Sequence, residues 1–273
     1  MQQLAPNGLP PQVNRFIQER KQYRGKDLTI LSFPIWSVTR FAAILAAGPP
    51  VVATIGTAAR TAFSYGLNQD MAPAGRAGVT ATQADTNLQN AGQTRDQSDV
   101  FIYGISAYVT QDSEPAFVPE LIRETDVQIS TNGSITLPLG TIEMFPSPGG
   151  LFGGGNSNMV SPSFADEGKS SGGPGGAVSF FSNGNPTSGS FYKLDAPIFW
   201  AGIGSGPDSS LSLICTPRRA IVKTSSLARV AGVAGATYGG EPGVFNPIVA
   251  AEAFVDIRWR LHAASVQVRS SNA

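Results

Sequence analysis

The sequence predicts an all-β protein, an antiparallel sandwich or barrel, on three observations. The clearest is Val255-Asp256-Ile257-Arg258-Trp259-Arg260-Leu261, where apolar and charged residues alternate without a break. A strand turns successive side chains to opposite faces, so Val255, Ile257, Trp259 and Leu261 make one wall and Asp256, Arg258 and Arg260 the other. That pattern marks a half-buried strand of an antiparallel sheet. Turn-formers supply the second observation, with 31 Gly and 20 Pro in 273 residues. The third is negative: no helix of ten or more residues can be named securely, and there is no βα alternation or fixed repeat.

From the N-terminus, residues 1–26 read as an extended arm. Arg15, Arg20, Lys21, Arg24 and Lys26 stand there against one acid, Glu19. Val13, Phe16, Ile17 and Arg20 recur at helical spacing, which suggests a short helix over Asn14 to Tyr23. Such an arm is either a solvated terminus or an electrostatic contact with phosphate, whether lipid headgroups or packaged nucleic acid. Leu28 to Ile35 reads as a first strand ended by Pro34, and Phe41 to Ala47 as a helical turn or a strand. Residues 1–58 are therefore expected to form the arm and first strand or strands, and 59–273 the main domain.

Arg60 to Gly66 is a strand. Residues 67–98 lack large apolar side chains almost throughout, so they read as a long loop that contacts a partner. Val100 to Thr110 is a strand with a bulge at Gly104, and Pro119 to Glu124 a short helix opened by proline. Val127 to Ser130 and Ser134 to Phe145 form a hairpin about Thr131-Asn132-Gly133. Pro138 and Gly140 place its second arm at an edge or a bulge. Between Pro146 and Ser190, 27 of 45 residues are Gly, Ser or Pro, which cannot build a core. Ala177 to Phe181 is at most one short strand there. Strands resume at Tyr192 to Ala201 and, after Gly202 to Asp208, at Ser210 to Thr216. Ile221 to Lys223 is too short to assign, residues 225–250 form a third long loop, and His262 to Ser265 reads as a turn before Val266 to Val268 pairs back.

Composition narrows the function. Only 14% of residues are charged and the formal net charge is zero, which argues against a general nucleic-acid binder and suits a surface covered by neighbours. One cysteine, Cys215, rules out an intramolecular disulfide and reads as buried. The polar, proline-rich Met1 to Pro11 lacks the pattern of a secretory leader. The apolar stretch Phe41 to Ile55 is broken by Gly48-Pro49-Pro50 and is too short for a bilayer.

Reaction signatures are absent. His262, the sole histidine, has no cysteine near it to complete a zinc set and no convincing nucleophile partner, and reads as a surface or rim side chain. Gly168-Lys169-Ser170 resembles the end of a phosphate loop, but Ser163 stands where its first glycine belongs. The glycines of 149–155 lack a βα context. The Asn132-Gly133-Ser134 sequon is better explained as turn chemistry. No catalytic residue, metal ligand or cofactor is assigned.

Three segments together carry a resemblance: Leu139-Gly140-Thr141-Ile142-Glu143-Met144-Phe145-Pro146-Ser147-Pro148-Gly149-Gly150, Leu194-Asp195-Ala196-Pro197-Ile198, and the closing strand. A strand running into a proline-glycine loop, a long excursion and a re-entering strand are similar to jelly-roll major capsid proteins of tailless, icosahedral, membrane-containing bacteriophages. The pattern covers roughly residues 60 to 268. It implies a viral jelly-roll β-sandwich, single rather than double by strand count, standing upright in an icosahedral shell without catalysis. The expected partners are further copies of the chain and other capsid proteins such as vertex or minor proteins. The basic arm would face the internal membrane or packaged genome. The place of action would be the virion, after synthesis in the host cytoplasm. Two rivals remain. A β-sandwich carbohydrate-binding or adhesive module, such as a spike or vertex protein, needs exposed aromatics on one face, whereas Trp36, Trp200 and Trp259 sit in strand-like apolar runs. A glycoside hydrolase needs two facing acids, and Asp195 and Asp256 give no evident pair.

Overall fold

The computed structural model describes residues 9–21, 23–46, 51–92, 99–110, 113, 117–131, 135–145, 151–152, 181–182, 191–200, 210–225 and 254–268. Helix α1 (Pro11–Glu19) precedes β1 (Leu28–Ala42), β2 (Ile44–Ala46), β3 (Val51–Ile55), β4 (Arg60–Ala62), β5 (Asp70–Met71), β6 (Arg76–Thr80) and β7 (Asp99–Val109). Helix α2 (Val118–Glu124) then leads to β8 (Thr125–Thr131), β9 (Ile135–Thr141), β10 (Leu151–Phe152) and β11 (Phe181–Ser182). The chain closes with β12 (Tyr192–Trp200), β13 (Leu211–Pro217), β14 (Ile221–Ser225) and β15 (Phe254–Val268). The protein is all-β in the expected sense: among the described residues its sheets are antiparallel and its two α-helices short.

Two four-stranded sheets dominate, ordered β1-β15-β7-β12 and β4-β13-β8-β9. Their inward side chains share one core. Ile35, Ile102, Ile105, Trp200, Ile257 and Trp259 come from the first sheet, and Val127, Ile129, Leu211, Leu213 and Cys215 from the second. The alternation in β15 works as read, with Val255, Ile257, Trp259 and Leu261 all fully buried. Trp259 also donates its indole N–H to Thr39 Oγ1 at 3.1 Å. The hydrogen bond lets the ring's polar edge share the apolar interior.

Several elements differ from the sequence reading. β1 runs on past Pro34 because it is an edge strand, where a missing N–H costs no ladder bond. Asn87 covers that edge, donating to the Pro34 carbonyl and accepting from the Trp36 N–H. Of the two readings left open for Phe41 to Ala47, strand is the one found, over Phe41–Ala42 and Ile44–Ala46. β1 pairs with β15 from end to end, so a division at 58/59 would cut through a hydrogen-bonded sheet. β4 stops at Ala62, where Phe63 takes a left-handed φ of 63° held by its N–H to Ser37 Oγ at 3.0 Å.

Residues 67–92 are not a structureless excursion. Tyr65, Met71, Ala74 and Ala81 make a small cluster of their own. Tyr65 donates to the Val38 carbonyl and accepts from its N–H, tying the segment to β1. Residues 93–98 lie outside the described residues. The stretch from 262 to 265 is not a turn: β15 continues to Val268, and Ala263, Ala264, Ser265 and Val266 are all buried. Burial on both faces removes the alternation that marks a half-exposed strand.

The bulge expected at Gly104 is present. Tyr103 is the extra residue opposite His262 and Ala263, and a Cβ on Gly104 would lie 2.0 Å from the Phe191 ring. In β9 both expectations hold, since it is an edge strand and has a register break opposite Val127 and Gln128. Ile221–Ser225 is a strand, forming a separate three-stranded sheet with β3 and β2. The turn residues 132–134, the stretch 202–208, the loop 226–250 and most of 146–190 lie outside the described residues.

Candidate interaction surface

The basic N-terminal segment is built on a helix whose spacing sets its two faces. Val13 and Ile17 fall on one side of α1 and are buried. With Leu9 and Tyr23 they pack against Phe101, Tyr103, Ala264 and Val266 on the outer face of the first sheet. Pro11 opens the helix where its absent N–H is no loss. Residues 9–26 are therefore not an extended arm, because their apolar side chains find a sheet face to cover.

Docking divides the five predicted cations. Arg15 is exposed and paired with Glu19 one helical turn on, 2.6 Å away; that carboxylate raises its pKa by hydrogen bond and charge. Arg20 lies over the rings of Phe16, Phe101 and Phe199, with centroids 5.2, 5.3 and 4.4 Å away. It works as a lid on the helix–sheet contact as much as a charge. Lys21, Arg24 and Lys26 are exposed on the turn that follows. Tyr23 anchors this turn by donating to the Asp99 carboxylate. Asp27, also exposed, trims its charge.

The structure adds cations the arm reading missed. Arg258 and Arg260 project from β15 on the same outer face, in register with Tyr108 and Ser106. Arg258 lies over the Tyr108 ring at 5.5 Å, and its Nε is buried without a hydrogen-bond partner. Lys193 is exposed and registered with Gly104, which in turn faces His262. The signal was present in the alternation of β15, but nothing in it said that α1 would dock on that wall. Asp256, by contrast, is neutralised by both arms of Arg40, at 2.7 and 2.6 Å.

His262 is half-buried, more enclosed than a surface or rim side chain would be. Its ring stacks on Phe191 at 4.5 Å, and its Nε2 is 3.0 Å from Ser106 Oγ. Burial, helped by the Arg260 charge, pushes its pKa down to about 4. Cys215 is fully buried, and desolvation drives its thiol pKa up, so it is packing and not a nucleophile. Among the described residues no cluster of three metal-ligating side chains occurs, and no helix is long and apolar enough to cross a membrane.

Trp200 and Trp259 are buried, and Trp36 is half-buried with its indole N–H donated to the Gln83 carbonyl at 3.1 Å. No protein-family model, curated protein or solved structure matches the chain.

Proposed function

We propose that the chain is a capsid protein of single jelly-roll fold that assembles with copies of itself into an icosahedral shell. The observation that carries this reading is the order of strand pairing. Taking only the eight strands of the two large sheets in chain order, the first pairs with the eighth, the second with the seventh, the third with the sixth and the fourth with the fifth. That is a long hairpin ribbon wound into a sandwich, with the eighth lying beside the third and the seventh beside the fourth. It is the pattern a jelly roll requires, and it accounts for all eight strands with one barrel.

Fold alone does not give function, so the surfaces must agree. Low charge overall favours burial by neighbours. The cations Lys21, Arg24, Lys26, Lys193, Arg258 and Arg260 share the outer side of the first sheet or the turn beside it. In a shell this side faces an anionic interior, a membrane or the genome. The adhesive-module alternative draws no support from the tryptophans, two of which are buried and the third half-buried and bonded to Gln83.

The test is flotation with anionic and neutral vesicles, and the same measurement with an oligonucleotide. Replacing Lys21, Arg24 and Lys26 by serine removes about 3 kcal/mol of attraction at roughly 1 kcal/mol per residue. That corresponds to about a hundredfold weaker binding at low salt. Binding that ignores salt and the substitution would count against an inward basic side.

A further inference from the structure

Among the described residues the two large sheets end in four edge strands, β1, β12, β4 and β9. An edge strand turns the N–H and C=O of every second residue outward, which makes it a template for another chain. Three of the four spoil that template by their own geometry. β4 is three residues long. β12 breaks register between Lys193 and Ile198 and holds Pro197, and β9 holds Pro138 beside its own register break. β1 is different. It stays in register with β15 along its whole length of 15 residues, and carries no charged side chain from Leu28 to Thr39. Length, regularity and uncharged β-forming residues are what make an edge adhesive.

The middle of this edge is closed by side chains. Asn87 Nδ2 donates to the Pro34 carbonyl at 2.8 Å, and its Oδ1 accepts from the Trp36 N–H at 3.0 Å. The Tyr65 hydroxyl donates to the Val38 carbonyl at 2.7 Å and accepts from the Val38 N–H at 2.9 Å. Between them Ser37 meets Thr86 in a single isolated β-bridge. An added strand would satisfy the same backbone groups but pass a new open edge on to the next chain. A side chain satisfies them and ends the ladder. The segment carrying Asn87 is fastened on both sides. Asp85 accepts from the Thr82 N–H and hydroxyl at 3.0 and 2.8 Å and from Arg76 Nη1 at 2.6 Å. Leu88 is buried in the main core, and its carbonyl accepts from the Leu67 N–H at 2.8 Å.

We propose that residues 82–88, together with Tyr65, are a guard that keeps copies of this chain from pairing strand to strand along β1. The excluded occupant is β1 of a second copy, because an antiparallel edge is complementary to itself about a two-fold axis. Such a guard serves a shell subunit and a free monomer alike, so it holds whether or not the chain builds a shell. Asn87 is its specific part. Pro34 has no N–H, so the amide must turn its donor to that carbonyl and its oxygen to Trp36. Asn87→Asp keeps the acceptor but sets a carboxylate against the Pro34 carbonyl.

The test compares Asn87→Ala and Asn87→Asp with Val127→Ala, a core variant far from this edge, at temperatures equally far below each melting point. Hydrogen exchange of the Trp36 amide should quicken by about tenfold in Asn87→Ala, the worth of one hydrogen bond to a protected group. Over a concentration series, sedimentation velocity and infrared spectroscopy should show intermolecular strands in the Asn87 variants where Val127→Ala behaves as the parent. Should the Asn87 variants not fold, Tyr65→Phe, which removes only a hydroxyl, carries the same test at the Val38 amide. Variants that pair no more than Val127→Ala, or a parent whose Trp36 and Val38 amides exchange as in an open strand, overturn the guard. Closed particles formed by the parent bear on the shell reading alone.

Discussion

Trp259 shows how far a single side chain can be read. Alternation in β15 put it on the buried wall, and the structure adds an edge-to-face contact with Phe145, centroids 5.5 Å apart, and the bond to Thr39. Trp259→Ala is expected to cost about 3–5 kcal/mol, the range for large buried aromatics. Arg258→Ser, on the outer wall, is expected to stay within about 1 kcal/mol, since it loses packing on Tyr108 but no ion pair. Urea denaturation of both separates the walls; equal losses would deny the half-buried strand. His262 was misread for a related reason. The sequence shows it on the polar wall, but Phe191, distant in the chain, closes over it. Its folded pKa of about 4 lies below the ordinary value near 6.5. The unfolded chain therefore binds the extra proton first, and this contribution to stability, full above pH 6.5, is lost as pH falls toward 4. His262→Gln should flatten that part of the stability–pH curve, measured as urea midpoints at pH 7 and 4.5. An unchanged slope would show that the ring is not held neutral by burial.

At the scale of elements, local signals located most strands, while their ends depended on what covers them. Pro34 looked like a stop because the sequence does not say that β1 is an edge capped by Asn87. The small residues after His262 looked like a turn because the main core buries Ala263 on one side of the strand there and α1 covers Ala264 and Val266 on the other. Residues 67–92 looked empty because their cluster is small and leans on β1 through Tyr65. The basic segment was legible as charge and as helical spacing, but not as a docked element. Removal of residues 1–26 should not leave the β-fold intact, because it uncovers Phe101, Tyr103, Ala264 and Val266. The truncated chain should show a lower melting temperature and bind a hydrophobic dye. A truncation with unchanged melting would make α1 a dispensable arm after all. Gly104→Ala tests the bulge in the same way. A methyl group 2.0 Å from the Phe191 ring must push that ring off His262. The expected cost is about 1–3 kcal/mol, as for overpacking elsewhere.

The molecule as a whole sorts its surface by chemistry. One sheet carries a helix and a group of exposed cations on its outer side, and the other, among the described residues, turns mostly uncharged side chains outward. β1, 15 residues long, separates the basic turn before Leu28 from the three-stranded sheet after Ala42. At about 3.3 Å per residue the two lie roughly 50 Å apart. Exposed Ile44 and Val222 flank Thr54 on that far sheet. None of this division was legible from composition, since a net charge of zero hides the gathering of cations on one side. Electron microscopy of the purified chain across a concentration series tests the assembly claim most directly. Closed particles of uniform diameter, or curved sheets of regular repeat, are the predicted result. A chain that remains a dispersed monomer at every concentration, with or without an anionic membrane or nucleic acid to assemble on, would contradict it.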